Sequence, residues 1–200
     1  MNRILKSCVV VTAALGVVLA AGAAPASAGT TNGKDLDVAK RAVTARIDLR
    51  LAALTRFGTE LAGAKQVQPG HRTTLSTLLR DQTAGLKALR VKVGAETTGA
   101  AVKADATSMV DDFRVFILTG PKVHLTAAID TELAVVGKLR THQDVDQGKL
   151  DAIQSTLDGK VGSLLAIQPG PDGDAIRAQV KPIREAARSA RQQLKSLTTA

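Results

Sequence analysis

Near the end of the chain, Ile176, Val180, Ile183, Ala187, Ala190, Leu194 and Leu197 fall alternately four and three residues apart without a miss. An apolar stripe at that spacing is one face of an α-helix, and it restricts the chain to folds in which helix faces cover one another. A second stripe, Leu75, Leu79, Gln82, Leu86, Leu89 and Val93, repeats the spacing with one polar interruption at Gln82. Val43, Ile47, Leu54, Phe57 and Leu61 make a third, with Arg46, Arg50 and Arg56 between them. Further stripes run through Val102, Ala106, Met109, Phe113 and Phe116, through Leu125, Ile129, Leu133 and Val136, and through Leu150, Ile153, Leu157, Val161 and Leu164. No stretch carries comparable two-residue alternation.

The breaks between stripes are chemically plain. Gln68-Pro69-Gly70, the run from Gly94 to Gly99, and Gln168-Pro169-Gly170-Pro171-Asp172-Gly173 each stop a helix. Asp174 is the expected N-cap of the last helix, and a loop is expected near Thr141 to Asp144. Gln-Pro-Gly occurs twice, 100 residues apart, and Phe57, Leu61 and Ala64 match Leu157, Val161 and Leu164 at that offset. Beyond the break, Leu75 matches Ile176 and Leu79 matches Val180 at an offset of 101. Two readings stay open: a duplicated helical hairpin, or coincidence between amphipathic helices.

Between the two lies Val110 to Asp130, which holds two of the three phenylalanines, Phe113 and Phe116. Gly120-Pro121 divides it, and the expected consequence is a third helical hairpin bent at that pair, with Pro121 in the first turn of the helix that follows. In such a hairpin Arg114 meets the turn containing Ala127 to Asp130. An ion pair of Arg114 with Asp130 is expected, or with Glu132 if the register slips, as a structural pin of about 1 kcal/mol or less.

The first residues read as a targeting signal. Arg3 and Lys6 precede the apolar run Val9 to Ala24, and Ala26-Ser27-Ala28 offers a small-x-small cleavage site. The expected organisation is a cleavable signal over 1–28, a disordered mature terminus over 29–34, and one helical domain over 35–200. Cys8, the single cysteine, would leave with the signal, so the mature 172 residues must fold without disulfides or cysteine-ligated metal.

Loss of Arg3 and Lys6 leaves 25 basic against 18 acidic residues, a net charge of +7. That balance favours anionic surfaces such as wall polymers, phospholipid headgroups or nucleic acid. With no Trp or Tyr, the stacking platforms of a single-strand nucleic-acid binder are missing.

Catalytic signatures are missing too. None of His71, His124 and His142 belongs to a pair of the H-E-x-x-H kind, and His71 and His142 lie beside breaks where exposure is the ordinary state. Asp144, Asp146 and Gly148 begin like a calcium loop, but Gly148 and Lys149 fill its fifth and sixth positions and Ser155 its twelfth. Asp111 and Asp112 are adjacent and point apart on a helix. No phosphate loop or nucleophile elbow is present. The expectation is a non-catalytic protein with no cofactor, no metal site and no small-molecule substrate.

The sharpest surface feature is basic. Arg177, Lys181, Arg184, Arg188, Arg191 and Lys195 share one stripe of the last helix, opposed by Glu185. Over about five turns it would extend roughly 30 Å, a geometry suited to a polyanion lying along the helix. Long basic side chains also flank a helical seam simply to cover it with their stems. Ala187 and Ala190, where an interfacial helix carries Leu, Phe or Trp, weigh against a membrane surface.

The segment from Asp111 to Asp130, DDFRVFILTGPKVHLTAAID, combined with the signal and an Ala/Thr/Arg-rich composition, resembles a group of secreted all-helical actinobacterial proteins. Those carry a Tyr- or Phe-Arg-Val, Pro-Lys, Ala-Ala-Asp pattern; here Ile129 stands where a small residue is expected before Asp130. The resemblance implies export and a helical fold, and it transfers no activity and no site.

The expected architecture is all-α: an elongated bundle of five or six helices in successive antiparallel hairpins with coiled-coil-like packing. The expected role is a secreted structural or protein–protein interaction module of the cell envelope. Its partner would be an envelope protein, with self-association also open. The alternative is binding of an anionic wall polymer of the teichoic-acid type, or extracellular DNA, through the basic stripe.

Overall fold

Stripes of this kind cover themselves by pairing. In the computed structural model, which describes residues 33–198, α1 (Gly33–Gly63) packs along α2 (Pro69–Ala95), and α3 (Gly99–Asp111) closes over both. After α3 a π-helical turn, Val115–Thr119, runs directly into α4 (Gly120–Leu139). Then α5 (Gln147–Leu157), α6 (Lys160–Ala166) and α7 (Gly173–Thr198) form the second group, with α7 packed on α4, α5 and α6. No strand occurs among the described residues. The fold is all-α, and the described residues 33–198 belong to one compact unit.

The core has two parts. One is built from α1, α2 and α3, around Ile47, Leu54, Phe57, Leu75, Leu86 and Met109, and it also takes Val115 and Val123. The other is built from α5, α6 and α7, around Leu150, Ile153, Leu164, Ile176 and Val180, and it takes Leu118, Ile129 and Val136. The segment 115–139 thus contributes to both.

The two Gln-Pro-Gly hairpins bury equivalent positions. Ala53, Phe57, Leu61 and Val67 are buried, and so are Ile153, Leu157, Val161 and Ile167, each 100 residues on. Past the break, Leu75, Leu79, Leu86, Leu89 and Val93 correspond at 101 to Ile176, Val180, Ala187, Ala190 and Leu194, all buried. Gln82, half-buried with its Oε1 unpartnered, corresponds to buried Ile183.

Several expectations are corrected. The chain does not bend at Gly120-Pro121: helix is continuous through the pair, and the bend lies at Arg114, whose backbone is left-handed (φ 41°, ψ 40°). The helix expected to run to Thr119 ends at Asp111, and Phe116 is 53 % exposed. Pro121 lacks an N–H and would crowd the carbonyl four residues earlier in a regular helix. The wider turn just before it, with Thr119 N–H reaching Arg114 O (3.3 Å) and Gly120 N–H reaching Val115 O, accommodates the ring. Gly120 itself is needed for close approach, because a Cβ there would lie 2.9 Å from Phe57.

The Arg114–Asp130 ion pair does not form, and neither does the Arg114–Glu132 alternative, since the hairpin both required is absent. The helix expected over Leu150 to Leu164 breaks at Asp158-Gly159, where Gly159 has φ 66° and splits α5 from α6. Asp172, rather than Asp174, caps α7, its Oδ1 accepting from the amides of Asp174 (2.9 Å) and Ala175 (2.8 Å). At the other end of the domain, Gly33 and Lys34 are already helical; the signal over 1–28 and the rest of the expected disordered segment lie outside the described residues.

Every helix end leaves amides or carbonyls unpaired, and both Gln-Pro-Gly junctions bury some of theirs. At the first, Arg72 donates to the carbonyls of Leu61 and Ala64 (both 2.5 Å), so the carbonyl side is met locally. The amide side is not: Gln68 offers no side-chain cap and Pro69 has no N–H. Asp130, reaching across from α4 with a fully buried side chain, accepts from Gln68 N–H (2.9 Å) and His71 Nδ1 (3.0 Å). A carboxylate can only accept, so the imidazole donates from Nδ1.

The second junction is the complement. Asp172 meets the amides, while Lys122 of α4 donates to the carbonyls of Leu165 (2.9 Å) and Ile167 (2.6 Å). Burial pushes the Lys122 amine below its ordinary value. Arg114 donates to Gly170 O (2.6 Å), to Pro171 O and to Asp111 Oδ1 (2.9 Å). Thr126 stands between Lys122 and Asp130 on the same face, buried, with its hydroxyl unpartnered.

These bonds set two expectations in urea unfolding. Lys122→Met keeps the apolar stem but strands two carbonyls, and should cost about 2–3 kcal/mol. Arg114→Gly and Arg114→Ala lose the same hydrogen bonds, yet the glycine variant should be more stable by about 1 kcal/mol, because only alanine must hold a Cβ in the left-handed region.

Candidate binding groove

Round α4 from the buried Lys122–Thr126–Asp130 face, Ile117, Pro121, Leu125, Ala128 and Glu132 succeed one another at spacings of four, four, three and four. The first four are half-buried and Glu132 is buried. They floor a groove walled by α7, formed by three adjoining depressions of about 190, 290 and 180 Å³. The first and second share Phe116, Ile117 and Arg177; the second and third share Arg184. From Ile117 to Glu132 the floor is roughly 22 Å long at 1.5 Å per residue.

The expected basic stripe forms one wall, but its charges are not equivalent. Arg177 pairs with Asp174 (2.6 Å), Lys181 approaches Glu185 (3.9 Å), and Arg191 Nε donates to Glu132 Oε1 (3.3 Å). Arg184 and Arg188 line the groove with no ion pair or hydrogen bond among the described residues. Lys195 is exposed near the end of α7. Arg177, Lys181 and Arg191 therefore face carboxylates, and the two cations that line the groove without one among the described residues, Arg184 and Arg188, stand at the middle of the stripe.

At the far end α1 supplies Arg50, whose guanidinium lies 5.4 Å from the Phe116 ring centroid, a cation–π distance. Burial, and then neighbouring Arg46, push this guanidinium below its ordinary value. At the near end Glu132 closes the floor. Burial raises its carboxyl above the ordinary range, outweighing the opposing effect of Arg191. Its Oε2 is buried without a partner.

The other polar cluster lies beside a depression of about 280 Å³ that includes Gln68, His71, Gln154 and Asp158. There the Asp130 carboxylate is occupied in holding the first turn of α2. His71, expected to be exposed, is drawn in by that carboxylate. Among the described residues no group of three or more His, Cys, Asp or Glu could hold a metal ion, and no helix is long and apolar enough to cross a membrane.

Sequence reasoning found the cations of α7 and missed the rest of the groove. Glu132 had a signal, since it is a charged residue that continues an apolar stripe of α4. Arg50 and Phe116 had none, because nothing local says that α1 and the π-helical turn meet α7. No protein-family model matches the chain, and neither a curated protein nor a solved structure matches it.

The raised carboxyl of Glu132 has a definite consequence. A folded-state value above the unfolded one contributes stability that is complete below the unfolded value and is lost as pH rises through the folded value. Glu132→Gln should therefore unfold at a higher temperature than the wild type at pH 7. The gap should close as pH falls below the ordinary glutamate range, as read by paired thermal melts.

Proposed function

We propose that this protein is a non-catalytic, secreted interaction module of the cell envelope that holds an anionic wall polymer in the α4–α7 groove. The observation that carries this reading is Arg184 with Arg188: two cations one helical turn apart, facing a groove and lacking carboxylate partners among the described residues. Repeated phosphates along a polymer would supply those partners, and the groove would hold the chain between walls instead of on an open helix face. Export rests on the pattern of the first 28 residues and on the resemblance to secreted actinobacterial proteins.

A protein partner is the second reading, favoured by exposed Phe116 beside Arg50. Against it, the floor is narrow and half-buried, and it lacks the cluster of large apolar anchors that centres a protein interface.

Wall-retention assays separate the cations. Arg184→Glu with Arg188→Glu should weaken retention on isolated walls by roughly tenfold or more, with wild-type binding falling steeply as salt rises. Arg177→Gln with Lys181→Gln should have a much smaller effect, because both cations already face carboxylates. Arg191 is unsuitable for charge reversal, since a carboxylate there would face buried Glu132. Undiminished retention of the Arg184/Arg188 variant would exclude the groove.

A further inference from the structure

Glu132 makes a poor structural pin. Its side chain is 6 % exposed, yet its charged partner Arg191 is 70 % exposed and reaches only Oε1. A carboxylate has about four acceptor positions; here Oε2 is buried and uses none. Desolvating such a group costs more than an exposed guanidinium at 3.3 Å returns, so a glutamine or leucine would join α4 to α7 at lower cost. The carboxylate lines a depression of about 180 Å³ together with Arg184, Arg188 and its own partner Arg191, and Leu125, Ala128 and Ala187 complete it. One small site therefore holds an under-paired anion and two cations without partners among the described residues. A ligand carrying a cation and an anion a few bonds apart satisfies both.

We propose that this end of the groove binds a primary ammonium group carried close to a phosphate, and that the source is an aminoacyl ester on the anionic wall polymer. The inference rests on the polymer-binding reading and names the group the polymer displays there. An ammonium is compact and offers three donors, which suits a recessed carboxylate better than a second planar guanidinium does. Arg191 is already mostly in water, so it yields its place at small cost. Arg184 and Arg188, one turn apart, take the neighbouring phosphate. A phosphoethanolamine lipid headgroup has the same chemistry, but Ala187 and Ala190 give α7 too thin an apolar face for a bilayer surface.

The test compares isolated walls before and after mild alkali, which hydrolyses aminoacyl esters and leaves the phosphodiesters. Stripping makes the polymer more anionic, so a site that reads negative charge alone binds stripped walls more tightly. The expected result is opposite: the wild type binds untreated walls about tenfold better, and Glu132→Gln, checked by thermal melting, binds both kinds at the lower level. Equal or tighter wild-type binding to stripped walls overturns the proposal, whether or not the Glu132 variant folds. Discrimination retained by a folded Glu132→Gln overturns it as well. Preference for phosphatidylethanolamine vesicles over untreated walls overturns the assigned source. In any of these cases, lost retention of the Arg184→Glu, Arg188→Glu variant leaves the groove standing; if that variant binds untreated walls normally, the polymer-binding reading fails too.

Discussion

A helix that ends inside a protein must place its last carbonyls, and the next helix its first amides. Two Gln-Pro-Gly junctions impose that demand on this fold, and α4 is the element that meets what each lacks. The first junction has its own cation, Arg72, and borrows an anion, Asp130. The second has its own anion, Asp172, and borrows a cation, Lys122. Arg114, eight residues before Lys122, secures the carbonyls that follow. Unpaired buried polar groups cost about 1–3 kcal/mol each, so the two hairpins are fastened to α4 by polar bonds as well as by the two cores it enters.

That demand explains features otherwise at odds with a helical bundle. A left-handed arginine and a π-helical turn are both costly locally. Together they turn the chain after α3 and bring Arg114 to the second junction, while the wider turn lets Pro121 lie within continuous helix. With one face of α4 committed to the junctions and others to the cores, the remaining face lies against α7. The groove, with Phe116 exposed and Glu132 recessed, lies where that face and α7 leave a crease.

The periodic parts of the chain were legible residue by residue. All five positions of the α1 stripe are buried, as are the α2 stripe apart from Gln82 and the α7 stripe through Leu194. The Gln-Pro-Gly correspondence was legible as a pattern, and burial now repeats with it. The centre was misread because Gly-Pro is a strong turn signal only where the preceding backbone is a regular helix. Arg114 and Asp130 were both singled out correctly as charged residues among apolar neighbours, and were then assigned to each other. Each in fact serves a different junction. In the groove, Arg184 and Arg188 were legible as part of a stripe, and Asp174 and Glu185 lie within a turn of Arg177 and Lys181, but the pairing of Arg191 with Glu132 of α4 was not legible.

The sequence alone determined the all-α class, the helix faces and most of the breaks, because a four-three apolar stripe and a Pro-Gly pair act through neighbours within a turn or two. Only the tertiary structure decided which carbonyls and amides Lys122, Asp130 and Arg114 would meet, that Arg191 would reach Glu132, and that Glu132 would be buried without full partners. Those outcomes depend on groups roughly 40 to 60 residues apart in the chain, and no local pattern carries them.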